Sequence, residues 1–243
     1  MNRGTAMICL ALSALPGTAA PGDHLLPASD PAGYLARLLI NESAFPGERG
    51  YVSEADTRAA MRAVVLVIDA RIHQIPPGYT RLEIAETESV DLLDVITAGG
   101  LSGQVEGFYR DRNGRPALAR RVSARIDQLQ RIAGRGEPDR FARLLAYAQS
   151  VASAYFDGIK PSPDLYAQIT RIEHKGVTGR AYGWMTDQDY YHPGGDFVRI
   201  PDTLGGRLAG NRFFTLAKRA AAPVAQPPAA QPLVSTESQE PKL

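Results

Sequence analysis

The stretch "LLINESAFPGERG", residues 38 to 50, places a carboxylate, Glu42, where a helical pattern calls for an apolar side chain. Just upstream, Asp30 followed by Pro31 supplies an N-cap oxygen and a proline at the first helical position. Leu35, Leu38 and Leu39 then recur at helical spacing, and Glu42 falls four residues after Leu38 and seven after Leu35, on the same face. Pro46 and Gly47 follow at once, so the spacing predicts a helix that stops near Phe45.

Downstream, "SEADTRAAMRAVVLVIDARI" opens with Ser53 as a cap and with Glu54 and Asp56 in a first turn, where acids favour the helix dipole. It carries Met61, Val64, Val65, Ile68 and Ile72 on one face and predicts a long core helix. Similar patterns predict a short helix over 91–98, one over 117–133 and one over 138–156. After Gly158 the helical period gives way to glycines, aromatics and short apolar runs, "YAQITRI", "AYGWM", "DFVRI" and "RFFTL", which read as strands and loops. The expected fold class is α+β and mainly helical: one domain over residues 31–218 with a small irregular β-containing C-terminal portion.

Both ends read differently from this core. The first twenty residues, "MNRGTAMICLALSALPGTAA", have a basic start, a short apolar run and a small-residue end, the layout of an export signal cleaved near Ala20. The expected location is therefore periplasmic or secreted, with no stable membrane insertion after cleavage. Residues 21–30 form a Pro/Gly/Asp leader, and 219–243 a Pro/Ala-rich tail with too few large apolar residues to offset the entropy of ordering it. Cys9, the only cysteine, lies inside the signal, which excludes disulfides, a thiol nucleophile and a Cys-based metal site from the mature chain.

The sequence has 27 basic against 26 acidic residues, and loss of Arg3 with the signal leaves 26 of each, so bulk charge does not select nucleic acid as a partner. Residues 110–143 hold ten arginines against four acids, which reads as a solvated face balanced by acids elsewhere. His24, His73, His174 and His192 lack metalloprotease spacing, and no "GxSxG" elbow or phosphate-binding glycine pattern occurs; no metal and no cofactor is expected.

The remaining candidate chemistry is that of Glu42. A carboxyl group at a helix end, turned towards the core side and partly desolvated, has its charged form disfavoured and can stay a proton donor near neutral pH. That is what a glycosidic-bond acid needs. The commoner fate of a helix-terminal glutamate is to reach solvent or cap the following loop. Tyr182, Trp184, Tyr190 and Tyr191 are concentrated in "RAYGWMTDQDYY", and such rings form either a wall on which sugar faces lie or a small aromatic core under loops.

Several of these segments, in order, resemble SleB-type cell wall hydrolases. "LLINESAFPGERG" is similar to the family's "EARGE"-like opening, with Glu42 at the catalytic glutamate and Glu48 at the second acidic position. "LVIDARI" is similar to a helix ending in an "NRV"-like triplet, "ITAGGLSGQVEGF" to the "QF" segment, and "AGNRFFTL" to the closing "GNHxFY" segment. "ESAF" also resembles the "ESGF" of lysozyme-like soluble lytic transglycosylases, although the downstream "GAxGLMQ" block is absent. The resemblance implies a lysozyme-like or SleB-like catalytic domain acting on peptidoglycan glycan strands at the β-1,4 bond between N-acetylmuramic acid and N-acetylglucosamine. Glu42 is the implied acid/base and Glu48 a helper; Gln104, Tyr182, Trp184, Tyr190, Asn211 and Arg212 are the implied substrate contacts. The alternative is a non-catalytic peptidoglycan-binding or scaffolding protein of the cell envelope. A housekeeping and an effector role are equally compatible with this chemistry, and the oligomeric state stays open.

Overall fold

The computed structural model describes residues 25–135, 140–159, 176–186 and 193–220. The expected signal, the strand expected over 166–172, Tyr190, Tyr191 and the tail from residue 221 lie outside the described residues. The chain is mixed α+β, with its helices in the N-terminal part and its larger sheet at the C-terminal end.

Helix α1 (Pro31–Asn41) is the centre of the molecule. Asp30 caps it as expected, accepting from the Ala32 and Gly33 N–H groups. Tyr34, Leu35, Leu38, Leu39 and Ile40 are all fully buried, so α1 is covered on nearly every side instead of presenting a single apolar stripe. It packs chiefly against α6 (Arg140–Phe156) and also against α5 (Arg120–Ala133) and α2 (Glu54–His73). Each fully buried leucine or isoleucine contributes about 1.5–3 kcal/mol relative to exposure, so these side chains fix where the C-terminal end of α1 lies. That end comes at Asn41, four residues before the expected Phe45, and Glu42 is the capping residue.

Ser53 caps α2 by accepting from the Asp56 N–H, and Asp56 in turn accepts from the Ala209 N–H at 2.7 Å, joining the start of this helix to the C-terminal sheet. Two short helices follow, α3 (Arg81–Ala85) and α4 (Leu92–Thr97). Helix α3 is too short to show a helical period, and its sequence signal is the complete capping box that Thr80 and Glu83 form.

A second departure concerns residues 117–119, expected to be helical. Phe108–Arg110 (β1) and Pro116–Leu118 (β2) pair as a hairpin, and α5 begins only at Arg120. Asp111 turns the hairpin by accepting from the Asn113 and Arg115 N–H groups. The Tyr34 hydroxyl donates to the Ala117 carbonyl at 2.9 Å, anchoring the hairpin to α1.

The C-terminal sheet has the order β3 (Gly183–Thr186), β6 (Asn211–Leu216), β4 (Phe197–Arg199), with β5 (Arg207–Leu208) also paired to β6; all pairs are antiparallel. Every residue of β6 is buried. Packing extends slightly past residues 31–218 at both ends: Leu25 joins the core, and Arg219 pairs with Glu83 and Asp196.

Candidate functional site

Helix α1 ends at a pocket of about 720 Å³, within the range that small-ligand sites occupy. Four elements line it. Asn41 and Glu42 come from the end of α1; Ser102, Gly103, Gln104 and Glu106 from the loop after α4; Arg121 and Arg125 from α5; and Trp184, Met185 and Thr186 from β3.

Glu42 is half-buried in this wall. Its Oε1 accepts from Asn41 Nδ2 and its Oε2 from the Trp184 indole N–H, each at 2.9 Å. Both donors are neutral, and no cation among the described residues pairs with the carboxylate. Each oxygen therefore keeps a lone-pair direction for a proton. The Glu42 carbonyl, left without a helical partner where α1 ends, accepts from Asn211 Nδ2 on β6.

The loop after Glu42 is held from several directions. Arg125 grips Glu48 with Nε at 3.0 Å and Nη2 at 2.5 Å, and also donates to the Ile40 and Ser43 carbonyls. Glu48 accepts in addition from the Phe45 N–H at 2.8 Å. At the far end of the loop the backbone of Gly50 lies against the Ala209–Gly210 turn between β5 and β6, and a Cβ at Gly50 would stand 2.4 Å from the Gly210 Cα.

The sequence candidates thus separate into two groups. Glu42, Gln104 and Trp184 share the pocket. Tyr182 does not: it is 2% exposed, packs with Ala70, Ile84 and Leu216, and donates its hydroxyl to the Gln74 carbonyl, so it is part of an aromatic core and not a sugar-stacking surface. Asn211 and Arg212 are buried on β6 outside the pocket lining, where Asn211 fixes the end of α1. Glu48 is committed to the loop clamp and likewise does not line the pocket.

Glu106, a further candidate helper where water is the nucleophile, does line the pocket and pairs with Arg121 at 2.6 Å, whereas nothing in the sequence singles out Asn41 or Arg125, and little singles out Arg71, which lies beneath the pocket. Arg71 stands within the "ARI" that ends α2, the segment noted for its similarity to a family triplet, and that is the one signal that pointed to it. Four arginines of the arginine-rich span form ion pairs: Arg110 with Asp94, Arg121 with Glu106, Arg125 with Glu48 and Arg143 with Glu54. Among the described residues no cluster of three metal-ligating side chains occurs, and no helix is long and apolar enough to cross a membrane. No family model, curated protein or solved structure matches the chain.

Proposed function

We propose that the chain is an exported peptidoglycan glycosidase of lysozyme-like or SleB-like type, cleaving the β-1,4 bond between N-acetylmuramic acid and N-acetylglucosamine with Glu42 as its acid/base. The observation that carries this reading is the Glu42 carboxylate in the wall of a 720 Å³ pocket, held by Asn41 and Trp184 and free of any cationic partner among the described residues.

Protonated Glu42 gives its proton to the bridging oxygen as the bond from that oxygen to C1 of the muramyl residue breaks. The carboxylate then takes a proton from the muramyl 6-hydroxyl as its oxygen bonds to C1, closing an anhydro ring and restoring the acid. With water in place of that hydroxyl, the same proton movements give hydrolysis. Either route uses one carboxylate, in keeping with the lining: the other acid there, Glu106, is ion-paired with Arg121. Trp184 offers an indole for a sugar face and Gln104 an amide for an acetamido group.

The test is digestion of purified peptidoglycan by residues 21–243, wild type beside Glu42→Gln, with soluble products identified by mass. Anhydro-muropeptides or reducing disaccharides released by wild type alone support the enzyme. No release by either protein, with both retained on sacculi, overturns it in favour of a binding or scaffolding protein.

A further inference from the structure

We propose that Arg71 is the positioning residue of this pocket: its guanidinium grips the Gln104 amide oxygen and lies against the Trp184 ring, and so sets two walls around Glu42. The inference deepens the glycosidase reading and rests on it for the identity of the site. Arg71 sits in the last turn of α2, only 6% exposed, and is not itself part of the pocket lining. Its Nε donates to the Tyr182 carbonyl at 2.7 Å, its Nη1 donates to Gln104 Oε1, and its Cζ lies 5.3 Å from the centre of the Trp184 ring.

Each contact constrains a different part of the site. A guanidinium can only donate, so the oxygen of Gln104 must be the end that faces Arg71. The amide nitrogen then faces the Ile84 carbonyl, to which it donates at 3.1 Å. One N–H and one lone pair of Gln104 stay uncommitted, the donor and acceptor set that an acetamido group complements. The contact with Tyr182 fixes the backbone two residues before Trp184, and the cation beneath the ring seats the indole whose N–H meets Glu42. A planar fork can address a carbonyl, an amide and a ring in three directions, which a lysine ammonium cannot.

Burial without an ion partner separates this arginine from an ordinary structural one. No carboxylate among the described residues forms an ion pair with it, and Glu86, the acid whose charge it feels, offsets the cost of burial only in part. Burial lowers its pKa to about 10, opposed by the charge of Glu86, so it stays cationic at neutral pH. An apolar residue would close the end of α2 without that cost, and would leave Gln104 and Trp184 unplaced.

Trp184 is the only tryptophan, so fluorescence excited at the red edge, where tyrosine does not absorb, reports on this wall alone. The experiment compares wild type, Arg71→Lys, Arg71→Met, Gln104→Ala and the Arg71→Met/Gln104→Ala pair. Folding is checked by circular dichroism, Trp184 by emission and acrylamide quenching, and binding by titration with the tetrasaccharide of N-acetylglucosamine. Folded Arg71 variants are expected to emit to the red with a quenching constant at least twofold higher. Tetrasaccharide affinity is expected to fall about tenfold in Arg71→Met and in Gln104→Ala, with little further loss in the pair. Wild-type emission and quenching in both Arg71 variants, or losses that multiply in the pair, overturn the proposal. If Arg71→Met does not fold, Arg71→Lys carries the fluorescence comparison. Absence of peptidoglycan cleavage by wild type counts against the enzyme alone, because emission and quenching still decide the role of Arg71.

Discussion

The indole N–H of Trp184 donates to the Glu42 carboxylate at 2.9 Å, across 142 residues of chain. Asn211, from the neighbouring strand, donates to the carbonyl of the same glutamate. The C-terminal sheet therefore holds both the side chain and the backbone of a residue that the N-terminal helix delivers. Neither part makes the site alone, since α1 without the sheet would end in an uncapped carbonyl and a solvated carboxylate.

Replacing Trp184 by phenylalanine keeps a ring in the wall and deletes the donor. A hydrogen bond to a charged group contributes about 1.5–3 kcal/mol, so peptidoglycan turnover by Trp184→Phe is expected to fall about 10- to 100-fold. The melting temperature is expected to fall by a few degrees as well, because the same bond ties β3 to the end of α1. Turnover equal to wild type would show that the proton chemistry of Glu42 does not depend on this bond.

Glu48 distinguishes a catalytic helper from a loop clamp. It meets Arg125 and the Phe45 N–H, and it does not line the pocket. Glu48→Gln is expected to keep turnover within about threefold of wild type, a change worth under about 1 kcal/mol, while lowering unfolding free energy by about 1–2 kcal/mol. Loss of turnover at unchanged stability would return Glu48 to the chemistry.

Much of this arrangement was legible in the sequence where a local rule governs it. The Asp30 cap, the length of α2 and the strands at Gly183–Thr186 and Asn211–Leu216 follow from caps, periodicity and β-forming residues. Other local signals compete: Asn113-Gly114 marks the β1–β2 hairpin, but the apolar run after Pro116 continues without a break into the pattern of the following helix. The α+β class is seen in the structure, whereas the roles expected of Tyr182, Asn211 and Arg212 were not set by local pattern. Tertiary contacts decide which ring meets the cleft: Trp184, within β3, lies opposite Phe213 and reaches the pocket, while Tyr182 precedes the strand and is taken into the core by its bond to the Gln74 carbonyl. Arg71 is hidden because α2 carries charged residues along its length and nothing in their spacing marks which of them are buried.

Gly50 is the contact through which the Glu42 loop sits on the sheet. Its φ is +90°, a region disfavoured for other residues, and an added Cβ would meet the Gly210 backbone and not a side chain that can move aside. Gly50→Ala is expected to cost about 2 kcal/mol or more from backbone strain alone. Because Ala44 also donates to the Ala209 carbonyl, the displaced turn should disturb the residues after Glu42, lowering turnover together with the urea midpoint. Gly47→Ala is the matched control: its φ is +85° but no atom lies within 4 Å of the added Cβ. Equal losses in the two variants would mean that backbone strain, and not the approach to Gly210, governs the loop.

Tyr182 links the aromatic core to an alkaline stability limit. Its hydroxyl donates to the Gln74 carbonyl at 2.6 Å, and burial pushes its pKa up to about 12. An unfolded chain releases that proton near pH 10. Between about pH 10 and 12 the unfolded state therefore binds fewer protons than the folded one, and stability falls as pH rises, with the full contribution present below pH 10. Arg71, whose pKa burial lowers to about 10, acts with the opposite sign over that window, so wild type alone is not diagnostic. The diagnostic quantity is the difference between wild type and Tyr182→Phe, in which the Arg71 contribution cancels. At pH 8 the variant should be less stable by about 1 kcal/mol for the lost hydrogen bond. As pH rises from 9 to 12, wild type should lose on the order of 2–3 kcal/mol relative to the variant, so that the two curves cross. Urea midpoints at pH 8, 10 and 11.5 measure this directly, and parallel curves would place the Tyr182 hydroxyl in contact with water.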